Sequence, residues 1–408
     1  MAKEKKKVPN LRFKGFTDDW EQRKLGEISD IKSGLSTNTQ SKKNLYKITR
    51  IETISDGFID VKKVGTVREK PDKKFLMNCG DILFSNINSL KHIGKVAIFD
   101  GSFTLYHGMN LLRITVNTKT SSYFIYYELS TKKYRNWAKA HANPAVSQAS
   151  INQSELSLEN MSLTSLAEQE KIVNLLLLLD KLISLQQQKL DLLKQLKKGL
   201  LQKMFADKDS KQPILRFKGF HDDWEQRKLS KVKDVRDGTH DSPKYHEKGF
   251  PLITSKNLTP SGVDFSDASL IDEHDYQEIN KRSLVEIHDI LFGMIGTIGN
   301  PVIVKKSGFA IKNVALIKHG GNLSNYFLLN LLNSPIFAKY INKENAGGTQ
   351  KFLSLSIIRN FRFLAPGSDE QNKIGNMFEQ VDTFITLQQQ KLAKYQSIKK
   401  SLLQQMFI

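Results

Sequence analysis

The longest regular pattern in the chain is a stripe of apolar side chains repeating at alternating steps of four and three. It runs through Ile172, Leu176, Leu179, Ile183, Gln186, Leu190, Leu193, Lys197, Leu200 and Met204. A second stripe runs through Ile374, Phe378, Val381, Ile385, Gln388, Leu392, Tyr395, Lys399, Leu402 and Met406. Eight of the ten positions in each are apolar, and the two polar steps hold the same residue types in both. A heptad seam this long predicts two helices that pack along their length, because a 3.5-residue period keeps one face turned to a partner. The first seam is about 48 Å long at 1.5 Å per residue. Thr164/Ser165 and Ser368/Asp369 supply hydroxyl and acidic residues where the helices start. The best partner for each helix is the other one. Two such copies pack antiparallel about a pseudo-twofold axis, with Gln186/Gln388 and Lys197/Lys399 fixing register.

Ahead of each helix the period changes to short β-rich runs separated by turns, roughly over 26–160 and 230–364. Lys95–Phe99 precedes Asp100-Gly101, and Val302–Val304 precedes Ser307-Gly308. Helical stretches follow near 121–140 and 324–342. Each such region reads as an α+β globular domain. The expected divisions are a first domain over 9–164, a helix over 165–206, a second domain over 213–367 and a helix over 368–408. Ala206–Gln212 is a polar link.

These two halves are copies. Pro9–Leu25 (PNLRFKGFTDDWEQRKL) and Pro213–Leu229 (PILRFKGFHDDWEQRKL) differ at only two of 17 positions. Leu185–Phe205 and Leu387–Phe407 agree at 13 of 21. Between these ends the likeness is weak, although Asp81-Ile82-Leu83-Phe84 returns as Asp289-Ile290-Leu291-Phe292. Matched ends imply one task done twice, and diverged middles imply two different ligands.

Composition narrows the ligand. The net charge is +20, from 62 Lys+Arg against 42 Asp+Glu, which favours a polyanion, with nucleic acid first. The single cysteine, Cys79, excludes a disulfide framework and a cysteine zinc site, and points to the cytoplasm. Met1–Asn10 is basic without an apolar stretch behind it, and the apolar run Leu175–Leu179 is too short to cross a bilayer. A membrane partner is not expected.

Candidate catalytic chemistry is thin. No GxxxxGK[ST] phosphate loop is present, and Gly293–Gly299 sits in an apolar, strand-like setting that suits a β-turn. No strand–GxG signature for an adenosine cofactor appears, and Asn143-Pro144-Ala145-Val146 only partly echoes an amino-methyltransferase motif. His240 and His246 with Asp237 and Asp241 fit no standard metal spacing. The pairs Asp18-Asp19 and Asp222-Asp223 suit turns and helix starts. The chain therefore reads as a binder without cofactor or metal.

Three features together resemble the specificity subunit of type I restriction–modification systems, and they span nearly the whole chain. These are the twice-used LRFKGFxDDWEQRKL opening, the domain–helix–domain–helix order with AEQEKI and DEQNKI leading into LQQQKL helices, and the run Asp237-Gly238-Thr239-His240-Asp241-Ser242-Pro243 followed by Phe250–Leu258. The first half departs from that run, with Lys32–Ser36 and Tyr46–Arg50 in its place. The resemblance implies an α+β fold of two target recognition domains separated by two long antiparallel coiled-coil helices. Each domain would read one half of a split, asymmetric site in double-stranded DNA, and the helices would set the spacer. Two methyltransferase subunits would dock on the scaffold, joined by ATP-dependent restriction/translocase subunits. Catalysis would belong to those chains.

Base and phosphate contacts call for Lys, Arg, Asn, Gln, Ser, Thr, His or Tyr in polar loops. In the first domain the candidates are Ser36, Thr37, Thr49, Arg50, Asn86, Asn88, His92 and Gln148. In the second they are Thr239, His240, Lys244, Tyr245, Ser255, Lys256, Asn257, Gly348, Thr349, Gln350 and Lys351. Trp20 and Trp224 are read both as packing against a helix end and as docking a methyltransferase subunit. The alternative from another class is a coiled-coil protein-interaction scaffold without DNA sequence preference.

Overall fold

A computed structural model describes residues 8–36, 46–55, 57–144, 148–207, 210–260, 262–296, 298–344 and 352–408. The chain divides into two compact units. The first holds residues 1–185 and 392–408, and the second holds 186–391. Each unit thus combines a stretch of one long helix with a stretch of the other.

In the first unit a four-stranded antiparallel sheet has the order Ser29–Ser33, Leu112–Val116, Ile82–Phe84, Val96–Ile98. Side chains alternate across a strand, so Ile82 and Phe84 turn to one core and Leu83 to another. The first core lies under the helices Ser122–Leu129 and Lys132–His141, and includes Phe124, Tyr127 and Tyr134. The second core is smaller, with Ile54, Met77, Phe99 and Leu105.

The second unit repeats this plan. Its sheet has the order Val235–Asp237, Val314–Ile317, Ile290–Gly293, Gly299–Ile303. Ile290 and Phe292 face the helices Asn325–Leu332 and Pro335–Glu344, while Leu291 and Leu316 face a second core with Phe309. Gly293 pairs with Gly299 between the last two strands, in keeping with the turn-like setting read from the sequence. The helix Glu273–Ser283, capped by the Asp272 carboxylate, was not foreseen from the sequence.

The long helices are Leu166–Lys203 and Ser368–Gln405, 38 residues each. Every one of the twenty seam positions is buried or half-buried. Pairing is antiparallel within each unit. In the second unit Gln388 meets Gln186, and Lys197 bonds Asp382 at 2.6 Å. In the first unit Lys399 bonds Asp180 at 2.5 Å. Antiparallel register thus matches each seam lysine with an aspartate seventeen residues before the other lysine, so Lys197 and Lys399 do not meet.

Packing also explains why the ends are repeated. In the first unit Arg12 grips Glu168 with two bonds of 2.7 and 2.8 Å, and the Leu11 amide donates to the Gln405 carbonyl. In the second unit Arg216 grips Glu370 at 2.8 and 2.9 Å, and the Leu215 amide donates to the Lys203 carbonyl. Each leading segment therefore ties the start of one long helix to the end of the other.

Candidate nucleic-acid interface

The sheet register gathers the polar candidates. Ser33, Leu112, Phe84 and Val96 lie side by side at one end of the first sheet. The segments leaving that end carry Ser36, Arg50, Asn86, Asn88 and His92. Gln148 joins them through the strand Ala149–Ser150, in which Ala149 pairs with Asn88. In the second unit Asp237, Ala315 and Phe292 lie side by side at the corresponding end, with Val314, Gly293 and Gly299 paired one residue further out. From it leaves the segment with Thr239, His240, Lys244 and Tyr245, followed by Lys256. Cα partners at one sheet edge thus turn a scattered sequence list into one polar surface per unit.

One glycine in each unit makes that turn possible. The Leu35 amide donates to the His107 carbonyl at 3.0 Å, and the Thr239 amide donates to the Ile311 carbonyl at 3.0 Å. A Cβ on Gly34 would sit 1.9 Å from the Gly108 carbonyl oxygen, and one on Gly238 would sit 2.1 Å from that of Ile311. Any side chain there would force the crossing backbones apart. Ser33-Gly34-Leu35-Ser36 is therefore the counterpart of Asp237-Gly238-Thr239-His240, although the sequences look unlike.

Individual candidates separate into tip and scaffold. Ser36, Arg50, Gln148, His240, Lys244, Tyr245 and Lys256 are exposed. Thr49, Ser255 and Asn257 are corrections, because all three are buried. Thr49 Oγ1 accepts the Gly108 amide at 2.8 Å. Asn257 Oδ1 accepts the Thr254 amide at 3.0 Å, and its Nδ2 donates to the Asp264 carbonyl. The same device recurs in the first unit, where Thr53 Oγ1 accepts the Arg50 amide at 2.7 Å. Thr53 and Asn257 thus brace 3₁₀ turns, and Thr49 secures a loop crossing. Asn88 is half-buried, with its amide donating to Ser85 and its carbonyl oxygen accepting the Ser89 amide. Asn86 Nδ2 is spent on the Ile151 carbonyl. Thr239 Oγ1 accepts the Asp241 amide. Thr37 and Gly348, Thr349, Gln350 and Lys351 lie outside the described residues.

Lys91, exposed beside His92, and Lys312, which donates to Ser242 at 2.6 Å, also stand at these ends. Neither stands out in the sequence, since no local pattern distinguishes them from other surface lysines. Behind the first surface, burial pushes His107 down to about 4, so its ring is neutral and Nε2 donates to the Leu111 carbonyl at 2.9 Å.

Trp20 and Trp224 are corrected as docking side chains. Trp20 is 1% exposed against Phe124 and Phe407, and Trp224 is 2% exposed against Phe327 and Phe205. Neither ring offers surface to another chain.

Oxygen clusters among the described residues serve the fold. Glu286, Asp289 and His319 approach one another, but the Lys318 ammonium sits among them, 2.7 Å from Glu286 and 2.6 Å from Asp289. Asp289 is the first residue of the repeated Asp-Ile-Leu-Phe run, and its carboxylate accepts the Glu286 amide, as Asp81 accepts the Asn78 amide.

Residues 17–195 and 221–396 both match one family, described as the type I restriction modification DNA specificity domain. The chain belongs to that family. The specificity chain is 30% identical over 410 residues to a putative type I restriction enzyme MjaX specificity subunit of Methanocaldococcus jannaschii, covering 95% of this chain and 92% of that one. It is 21% identical to the MjaVIII specificity subunit of the same organism, covering 95% and 91%. The fold is similar to a crystal structure of a type I restriction–modification S subunit from M. genitalium, with TM-score 0.65, 17% identity and 98% and 99% of the two chains covered. A chain from a study of type I complex assembly and conformational transition has TM-score 0.56 at 14% identity, covering 94% and 96%. The S subunit is the non-catalytic, specificity component of a system that assembles with other subunits and DNA. No helix among its described residues is long and apolar enough to cross a membrane.

Proposed function

We propose that each unit reads one half of an asymmetric, two-part site in double-stranded DNA through the polar end of its four-stranded sheet. The observation that carries this is sameness of frame with difference of tip. The two sheets share strand order and register, and the same glycine crossing opens both loops. The exposed side chains differ, with Ser36, Arg50 and Gln148 in one unit against His240, Lys244, Tyr245 and Lys256 in the other. Phosphate contacts would fall to Lys91, Lys244, Lys256 and Lys312, and base contacts to Ser36, Gln148 and Tyr245.

The repeated leading segments and helix ends support two equivalent docking places for a methyltransferase subunit, with ATP-dependent restriction/translocase subunits added to that core. Their exposed identical residues are Glu21, Gln22 and Arg23 in one unit and Glu225, Gln226 and Arg227 in the other. Such a complex acts on chromosomal DNA in the cytoplasm.

Selection of duplexes from a random pool by the full chain with its methyltransferase subunits tests the reading. A motif of two unlike short halves with a fixed gap is the expected result. Binding without any motif would leave a protein-interaction scaffold instead.

A further inference from the structure

The second unit holds a chain of side chains with no counterpart among the described residues of the first. Asp237, the last residue of its strand, has a side chain only 8% exposed. One of its oxygens meets the Arg282 guanidinium, from the last turn of the helix Glu273–Ser283. The other meets His240 Nε2 at 3.0 Å. His240 Nδ1 in turn meets Asn313 Oδ1 at 2.8 Å. Asn313 holds a left-handed backbone, φ 55°, while its amide donates to the Thr239 carbonyl at 3.0 Å.

Both ring nitrogens of His240 are therefore taken by partners inside the protein. Although half of the side chain is exposed, none of its polar atoms is free to read a base. Its effect falls on the segment that follows. The far end of that segment is pinned too, where the His246 amide donates to the Leu270 carbonyl at 2.9 Å. Between the two pins run Asp241, Ser242, Pro243, Lys244 and Tyr245, and Pro243 removes one backbone freedom. Lys244 and Tyr245 form the exposed tip.

The first unit solves the same problem differently. Register matches Ser33 to Asp237 and Arg113 to Leu316. Ser36 stands at the place of His240. There Arg113 reaches out from the sheet and donates to the Leu76 and Lys74 carbonyls at 2.7 and 2.9 Å. One sheet thus carries two unlike braces for its edge segments.

We infer that Arg282, Asp237, His240 and Asn313 set the path of the 240–246 segment, making His240 a positioning residue for the specificity of the second half-site, with Lys244 and Tyr245 at the DNA. This rests on the reading of the two units as half-site readers. A specificity contact held by a rigid neighbour loses discrimination when the neighbour is removed, because the tip samples several poses.

The test is duplex selection from a random pool with the full chain in its methyltransferase complex. His240→Ala and Arg282→Met should each lower base preference in one half of the selected motif by about tenfold, the effect of a lost base contact. The other half and the gap should stay unchanged. Arg282→Lys, which keeps a cation on Asp237, should retain the original preference. Should His240→Ala fail to fold, the solvent-facing Arg282 variants decide the matter. An unchanged motif in Arg282→Met, or equal loss in both halves, would overturn the brace. A wild-type chain that selects no two-part motif would overturn the half-site reading itself.

Discussion

Gln388 donates its side-chain amide to the Gln186 side-chain oxygen at 2.6 Å and to the Gln186 carbonyl at 3.1 Å. The two residues occupy the same step of their respective seams, 202 positions apart. A polar pair in an apolar seam is satisfied only in one register, so it selects that register against slipped alternatives. Gln388→Leu strands the partner amide and should lower stability by about 1–3 kcal/mol. Gln186→Leu with Gln388→Leu removes both polar groups and should recover most of that loss. Urea unfolding of the two variants against the wild type checks it, and a double variant no better than the single one would contradict the register role.

Lys197 and Asp382 test the antiparallel pairing by charge. Their side chains are 24% and 40% exposed, so solvent weakens the attraction. Lys197→Asp places two carboxylates together and should cost about 1 kcal/mol. Adding Asp382→Lys should restore the midpoint, since the exchanged pair fits the same geometry. Failure of the exchange to rescue would mean that the two side chains do not face each other in solution.

Glu128 makes the first unit sensitive to pH. It is fully buried, and burial pushes its carboxyl from the ordinary 4.5 up to about 7, against the opposing pull of the Ser162 amide, Tyr134 and Lys133. Geometry agrees. The Tyr134 hydroxyl lies 2.6 Å from the Asn160 carbonyl and 3.0 Å from Glu128 Oε1, yet it has one proton. When that proton goes to Asn160, Glu128 must carry its own. A carboxyl whose pKa is raised by folding adds stability below its unfolded value, and that contribution disappears as pH rises through about 7. The loss amounts to about 3 kcal/mol. Thermal unfolding of the wild type should weaken between about pH 5 and pH 8, and Glu128→Gln should remove that dependence. In the second unit Leu331, Phe337 and Leu364 fill the matching places, so no equivalent dependence arises there.

Lys256 should report phosphate contact. It is exposed, and its partner among the described residues is Asp267, itself 89% exposed, so the pair is weak and can be exchanged for phosphate. Lys256→Ala should weaken binding across sequences and reduce the log-salt slope by about one unit. Filter binding over a salt series checks this, and an unaltered slope would remove Lys256 from the interface.

Much of the frame could be read from the chain because it rests on local rules. The seams at 172–204 and 374–406 are periodic, and periodicity survives folding. Gln186 and Gln388 were matched by counting along it. The lysine partners were not, since antiparallel pairing brings Asp382 rather than Lys399 to Lys197. At the DNA surface, residue type indicated the loops but not the direction of a side chain. Thr49, Ser255 and Asn257 have the chemistry of a base contact, yet a 3₁₀ turn and a loop crossing use them internally. The brace on His240 depends on Arg282 and Asn313, 42 and 73 residues away in sequence, and sequence spacing carries no signal of that closeness. In the sequence Trp20 and Trp224 read as packing and docking together, and burial against Phe407 and Phe205 leaves them the packing role.

The most direct measurement is the methylation pattern of a genome carrying this chain and its partner subunits, compared with the same genome after deletion of the chain. The account predicts one methylated motif of two unlike halves separated by a fixed gap, absent after deletion. A palindromic motif, or a two-part motif that persists without the chain, would contradict it.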